Sequence, residues 1–176
     1  PPIPDPPSPP PPPDPPAPVM CGTAALASSH GSYDCAVMMA KGVELHFSVR
    51  GRAFSTLLKC TCGECANWIA LGFPKEPGRM IGSTAIVKLP SGNEIKMFKL
   101  NSKNPNGVTE ATPAEYRAWG LRDQRVELFN GRYGLHFTID LPSTIALNNL
   151  HLIFAGGTGA QFTYHGVERG GMTLDL

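Results

Sequence analysis

The chain begins with a stretch in which 13 of the first 18 residues are proline. Proline fixes φ at about −65° and has no backbone N–H, so this stretch can form neither a helix interior nor a central strand. Polyproline II is the remaining conformation, and it would give a semi-rigid arm on the order of 55 Å long at about 3.1 Å per residue. We therefore divide the 176-residue chain into a proline-rich arm, residues 1–19, and one domain, residues 20–176.

The arm has two interpretations, a solvated spacer and an assembly element. A polyproline II rod presents unpaired carbonyls and stiff apolar ridges at low entropic cost, so it suits docking in a groove of another subunit. A head-to-tail contact of that kind produces a ring or a filament rather than a closed dimer. Ser8 followed by five prolines is also similar to the repeats of plant and algal hydroxyproline-rich wall glycoproteins, which implies hydroxylated and glycosylated prolines.

The rest of the chain consists of short segments of alternating hydrophobicity separated by turn signals, which predicts an all-β sandwich. In residues 43–50 the odd positions are apolar and the even positions are polar, as in a half-buried strand. Asn130-Gly131 is a strong hairpin signal. We expect further strands at residues 68–73, 84–89, 94–100, 125–129, 135–141, 150–155 and 172–176. Only residues 113–118 have a helical character.

Composition and charge exclude several classes of protein. The formal net charge is +1 and no basic stripe is present, so the electrostatic footprint of a nucleic-acid-binding protein is absent. No segment approaches the roughly 20 apolar residues that cross a bilayer. Ser28-Ser29-His30 has no partner acid at a recognisable spacing, and the glycine-rich loop expected at residues 156–159 lacks the lysine of a phosphate-binding loop.

Five cysteines, at positions 21, 35, 60, 62 and 65, are many for a domain of this size. The cluster at 60–65 allows part of a zinc site, although no His-x-x-x-His pair follows at zinc-finger spacing. The alternative is disulfide bonding in an oxidising compartment, with Cys21 and Cys35 as one pair and two members of the cluster as another. One cysteine then remains, either free or bonded to another chain.

The histidines differ in their sequence context. His46 and His136 lie on the polar faces of alternating strands, where we expect solvent-exposed side chains. His30, in a loop, and His151, at a strand start, are expected to be structural. His165 follows Phe162 and Tyr164 and lies between two glycine-rich segments, which would allow the close approach of a flat ligand.

Met80 stands in Gly78-Arg79-Met80-Ile81-Gly82-Ser83. Most methionines fill gaps in the core. The flanking glycines indicate that Met80 lies on a loop rather than on a regular strand face, which a core methionine seldom requires. Met80 and His165, from opposite ends of one β-domain, are therefore our candidate ligand pair.

These segments resemble the DOMON domain over nearly all of residues 21–176. The similarity is carried by residues 67–73, 78–85, 152–157, 164–166 and 169–170. Haem-binding members of this family, which include plant auxin-responsive apoplastic cytochromes and the cytochrome domain of cellobiose dehydrogenase, are immunoglobulin-like antiparallel β-sandwiches with b-type haem. Their axial ligands are a methionine in a Met-x-Gly-Ser loop and a histidine near the C-terminus. The resemblance thus implies Met80 and His165 as iron ligands, and the spacing of Cys21 and Cys35 resembles the N-terminal pair of the plant proteins.

The resemblance also implies a haem wall and a mode of attachment. Candidate wall residues are Phe73, Ile81, Phe154, Phe162 and Tyr164. The haem b would be held non-covalently, because a c-type attachment would need a histidine at position 66, where the chain has alanine.

The sequence therefore predicts an extracellular or cell-wall b-type cytochrome that carries electrons and is not an enzyme. Its expected partners are a redox protein or a small reductant, further copies of itself through the arm, and glycans on the arm. A non-redox structural or carbohydrate-binding DOMON module is the alternative, in which Met80 and His165 only contribute to packing.

Overall fold

A computed structural model of the chain describes residues 20–21, 27–28, 31–61, 63–102, 105–159 and 169–176. The proline-rich arm, His30, Cys62 and residues 160–168 lie outside the described residues. The polyproline II conformation of the arm and its docking in another subunit therefore stay predictions.

Nearly all regular structure in the described chain is β-strand, with one short helix. The strands are β1 (Met20–Cys21), β2 (Ala27–Ser28), β3 (Gly31–Ser32), β4 (Cys35–Ala40), β5 (Val43–Arg50), β6 (Ala53–Cys60), β7 (Trp68–Phe73), β8 (Ser83–Lys88), β9 (Ile95–Leu100), β10 (Val108–Glu110), β11 (Arg122–Phe129), β12 (Arg132–Asp140), β13 (Leu150–Gly157) and β14 (Arg169–Leu174). The helix is α1 (Pro113–Trp119), and 3₁₀ turns cover Gly63–Cys65 and Pro105–Gly107.

The strands form two six-stranded antiparallel sheets and a separate β2–β3 hairpin. The first sheet has the order β1-β4-β5-β6-β12-β11, and the second has the order β10-β9-β8-β7-β13-β14. The prediction of an all-β sandwich is confirmed. Asn130 and Gly131 both have positive φ, 50° and 76°, at the β11–β12 hairpin, as its predicted turn requires.

The core lies between the two sheets and follows the alternation of side chains along the strands. In β7 the inward residues are Ile69, Leu71 and Phe73, and all three are fully buried. The Phe73 ring makes an edge contact with Phe54 of the first sheet at a centroid distance of 6.0 Å. Burial of each such side chain contributes about 1.5–3 kcal/mol, so the inter-sheet layer dominates the stability of the fold.

Helix α1 closes one end of this core. Thr112 and Glu115 form a capping box at its start, and Gly120, with φ of 53°, ends it in the left-handed conformation. Trp119 in its last turn packs against Phe73 at a centroid distance of 5.5 Å. The helix predicted at residues 113–118 is confirmed and extends one residue further.

Two disulfides are present, Cys21–Cys35 and Cys60–Cys65. The predicted pairing of Cys21 with Cys35 is confirmed, as is a second disulfide within the cysteine cluster. The zinc alternative is wrong, because two thiols of that cluster are consumed by the disulfide. None of the described helices is long and apolar enough to cross a membrane.

Candidate functional site

Met80 lies between two consecutive tight turns that join β7 to β8. In the first turn the N–H of Arg79 donates to the carbonyl of Glu76 at 3.2 Å, and in the second the N–H of Ser83 donates to the carbonyl of Met80 at 3.1 Å. Gly78 and Gly82 occupy the third position of each turn with φ of 67° and 86°. A side chain at either position would strain the backbone, so the two glycines fix the place of Met80. Its predicted loop location is confirmed.

The outer face of the second sheet, on which the Met80 loop lies, is apolar. All six residues of β7 and all six of β8 are buried, which is unusual for a sheet with only one face on the core. Trp68, Ala70, Ala85, Val87 and Phe98 form a second apolar cluster on this outer face. The sheet therefore presents an apolar surface away from the main core.

A cavity of about 840 Å³ opens on this outer face beside Met80. Its floor is made of outward-pointing residues from four strands: Ala70, Gly72, Ala85, Ile153, Ala155 and Gly171. Met80, Ile81 and Leu100 border one side. The volume falls in the range of about 300–1,000 Å³ that is typical of small-molecule sites.

The floor of the cavity depends on a missing side chain. A Cβ built on Gly72 would lie 2.7 Å from Cγ1 of Ile153 and 3.7 Å from Cβ of Ala85. The Gly72 conformation is ordinary, so glycine is needed for space and not for backbone freedom. Small residues at this position and at Ala70 leave the room that a flat ligand needs.

Two arginines also line the cavity. Arg79 forms an ion pair with Glu76, Nη1 to Oε2 at 2.7 Å, and both side chains are exposed. Arg169 begins β14 and is exposed, and within the described part of the chain it makes no ion pair. Two guanidinium groups beside an apolar cavity suit a flat ligand that carries carboxylates.

The described candidate site residues fall into three groups. Met80 and Ile81 line the cavity, and Ile81 is 50 % exposed. Phe73 points into the inter-sheet core, on the opposite face of the sheet, and does not line the cavity. Phe154 borders the cavity while its side chain belongs to the core cluster.

The remaining candidates, Phe162, Tyr164 and His165, lie outside the described residues. The chain runs into residues 160–168 from the end of β13 and leaves them at Arg169. Ala155 of β13 and Arg169 both line the cavity. Residues 156 and 157, expected in a loop, are the last two residues of β13.

Two histidine predictions are wrong. His46 and His136 were expected to be solvent-exposed, but they are 2 % and 5 % exposed. The alternation correctly put both on the outer face of the first sheet, but Tyr33 packs on that face. Its ring lies 6.4 Å from His46 and 5.9 Å from His136, and its hydroxyl shares a hydrogen bond with Nδ1 of His136. Nδ1 of His151 shares a hydrogen bond with the Thr173 hydroxyl at 2.8 Å, which agrees with a structural role.

Sequence reasoning missed Arg79, Arg169 and Ile153 as cavity residues. Arg169 and Ile153 reach the cavity because β14 pairs with β13 and β13 with β7, and no local pattern reports that pairing. Arg79 directly precedes Met80 in its loop, so the predicted loop was a signal for it. The alternation of large and small residues in β7 did carry a signal, because Ala70 and Gly72 alternate with Ile69, Leu71 and Phe73. No group of three or more His, Cys, Asp or Glu among the described residues is arranged to hold a metal ion.

No protein-family model matches the chain, and no curated protein sequence is similar to it. The resemblance to the DOMON domain therefore stays a prediction. The confirmed sandwich and the geometry of the cavity are the basis for a functional proposal.

Proposed function

We propose that this chain is a b-type cytochrome that carries single electrons, with its haem b bound non-covalently in the cavity beside Met80. The observation that carries the proposal is the position of Met80. The only methionine that lines the described cavity is also the one held between two glycine turns at its edge. The sequence motif and the cavity thus indicate the same residue independently.

Met80 and His165 would hold the iron of the haem. A soft thioether favours the ferrous state, and a Met/His pair raises the reduction potential relative to ligation by nitrogen alone. The Met80 carbonyl accepts a hydrogen bond from the N–H of Ser83, and the Ser83 hydroxyl donates to the Arg79 carbonyl at 2.9 Å. These two bonds fix the backbone of Met80. This loop would hold the backbone of Met80 at the edge of the cavity, from which its side chain can reach a ligand.

The other cavity residues would provide space, apolar contact and charge. Gly72, Ala70 and Ala85 would keep the floor flat, and Ile153 and Leu100 would add apolar contacts. The guanidinium groups of Arg79 and Arg169 would pair with the carboxylates of the porphyrin. A haem held by both Met80 and His165 would supply one-electron transfer, so we propose electron transfer and no catalytic reaction.

The lining of the cavity favours this function over carbohydrate binding. The hydroxyl groups of a sugar require several hydrogen-bonding side chains in the site. Among the described lining residues, the polar side chains are those of Arg79 and Arg169 alone. The floor is made of alanine, glycine and isoleucine, which suits an apolar ring system.

We further propose an extracellular location and an assembly role for the arm. Two disulfides are typical of proteins that fold in an oxidising compartment. The proline-rich arm, residues 1–19, would dock on another copy and carry glycans, and a separate redox protein or small reductant would exchange electrons with the domain.

Addition of hemin to the purified chain, followed by visible spectroscopy before and after reduction with dithionite, tests the function. We expect one haem per chain and sharp α and β bands in the reduced protein. A structural or carbohydrate-binding module would leave only the spectrum of unbound haem, and that result would overturn the proposal.

A further inference from the structure

Lys88 is a buried cation with no carboxylate partner among the described residues. Its side chain is 1 % exposed, among the largest fully buried side chains of the described chain. Nζ donates to the carbonyl of Asn67 at 2.6 Å and lies 3.7 Å from the centroid of the Tyr133 ring. None of the ion pairs found among the described residues includes Lys88.

Both contacts of Lys88 are with neutral groups. A carbonyl oxygen and the face of an aromatic ring attract an ammonium group, but neither cancels its charge. Fully buried lysines are rare unless they are paired. Burial accordingly lowers the pKa of Lys88 below its ordinary value. A positive charge therefore lies on the inner face of the second sheet, and no carboxylate of the described residues neutralises it.

This charge lies under the sheet that forms the floor of the cavity. Lys88 and Ala85 are both on β8, three residues apart, with Lys88 directed inward and Ala85 lining the cavity. At about 3.3 Å per residue, their Cα atoms are about 10 Å apart, and the charge itself lies at Nζ, beside the carbonyl of Asn67. Water and salt screen a buried charge much less than a surface charge, so we expect its field to reach the cavity.

We infer that Lys88 raises the reduction potential of the cofactor in the cavity through its buried positive charge, an inference that rests on the proposed function. A bound cofactor that accepts an electron would gain negative charge, and a buried cation on a strand of the cavity floor would favour that state. Lys88 would not contact the cofactor and would act only through its field.

A purely structural role is the competing explanation. Asn67, which accepts from Lys88, also donates its N–H to the Gly157 carbonyl at 3.0 Å and its side-chain amide to the Thr158 carbonyl. Lys88 could therefore serve only to hold the end of β13. Lys88→Gln separates the two roles, because glutamine keeps a hydrogen-bond donor for Asn67 and loses the charge. Lys88→Met loses both, and methionine fills a similar volume.

The test is a spectroelectrochemical titration of the hemin-loaded wild type, Lys88→Gln, Lys88→Met and the control Lys41→Gln. Lys41 is exposed in the turn between β4 and β5 of the first sheet, so its removal changes the net charge equally but in solvent and away from the cavity. We expect a lower midpoint potential in both Lys88 variants and an unchanged potential in the control. Urea unfolding of the haem-free proteins reports the structural role, and we expect Lys88→Gln to unfold as the wild type does.

The outcomes separate the two proposals. Equal midpoint potentials in the wild type and in a folded Lys88 variant, with intact haem spectra, would overturn the inference alone. If Lys41→Gln lowers the potential as much as Lys88→Gln, the effect is one of net charge, which also overturns it. Absence of any haem spectrum in the wild type would overturn the proposed function and the inference with it.

Discussion

Gly72 and Ile153 lie side by side on the floor of the cavity, where a Cβ on Gly72 would come within 2.7 Å of Cγ1 of Ile153. We expect Gly72→Ala to displace Ile153 into the cavity and to weaken hemin binding at least tenfold. Overpacking of this kind destabilises a domain by about 1–3 kcal/mol. Hemin titration followed by absorbance, together with urea unfolding, measures both effects.

Gly63→Ala is the matched control, because the added Cβ would lie 3.8 Å from Nη2 of Arg132, an ordinary contact. It should bind hemin as the wild type does. Wild-type affinity in Gly72→Ala would mean that the floor beside Ile153 does not contact the ligand.

The Cys21–Cys35 disulfide joins β1 to β4 and closes a loop with a sequence separation of 14. In the loop-entropy description, a cross-link of this length stabilises the folded state by about 3 kcal/mol. We expect the double variant Cys21→Ser, Cys35→Ser to lose about that amount in urea unfolding. Cys62→Ser, which leaves both disulfides in place, is the control. A double variant as stable as this control would contradict the expected contribution.

The dependence of stability on alkaline pH should reveal the burial of Lys88. Its pKa is lowered in the folded state, so between the folded and unfolded pKa values the unfolded chain binds more protons. Stability therefore rises with pH over that window, which ends at the ordinary lysine pKa of about 10.4. We expect the unfolding free energy of the wild type to increase relative to that of Lys88→Met as pH increases towards 10. Parallel curves for the two proteins would show that Lys88 is not desolvated.

The arm should control assembly. Deletion of residues 1–19 removes the rod that we expect to dock on another copy, so the truncated chain should sediment as a smaller species than the full chain. A flexible glycine-serine arm of equal length is the matched control and should also fail to assemble. Equal particle sizes for the full and truncated chains would make the arm a spacer.

Local sequence patterns predicted those parts of the fold that depend on one strand at a time. The alternation of apolar and polar residues in β5 and the apolar run in β7 predicted the bounds of both strands. The glycines around Met80 predicted its loop. Strand β6 was not predicted, because Leu57 and Leu58 are adjacent and both buried, one on each face of the sheet. That pattern does not alternate, since the outer face of the first sheet is also covered.

The full set of residues that line the cavity could not be predicted from the sequence. Arg169 and Ile153 reach it only through the register in which β14 pairs with β13 and β13 with β7. His46 and His136 were misjudged for a similar reason, because a residue on a polar face is buried when another segment packs on it. Tyr33 is distant from both in sequence, and no local signal indicates its contact with them.

Ligation by Met80 is tested most directly by the visible spectrum of hemin-loaded Met80→Leu. Leucine preserves the apolar bulk of the side chain and removes the sulfur, so the fold should be retained while the low-spin α and β bands of the reduced protein are lost. Met38→Leu, at a methionine that is 43 % exposed on the first sheet, should keep the wild-type spectrum. An unchanged low-spin spectrum in Met80→Leu would contradict the assignment of Met80 as an iron ligand.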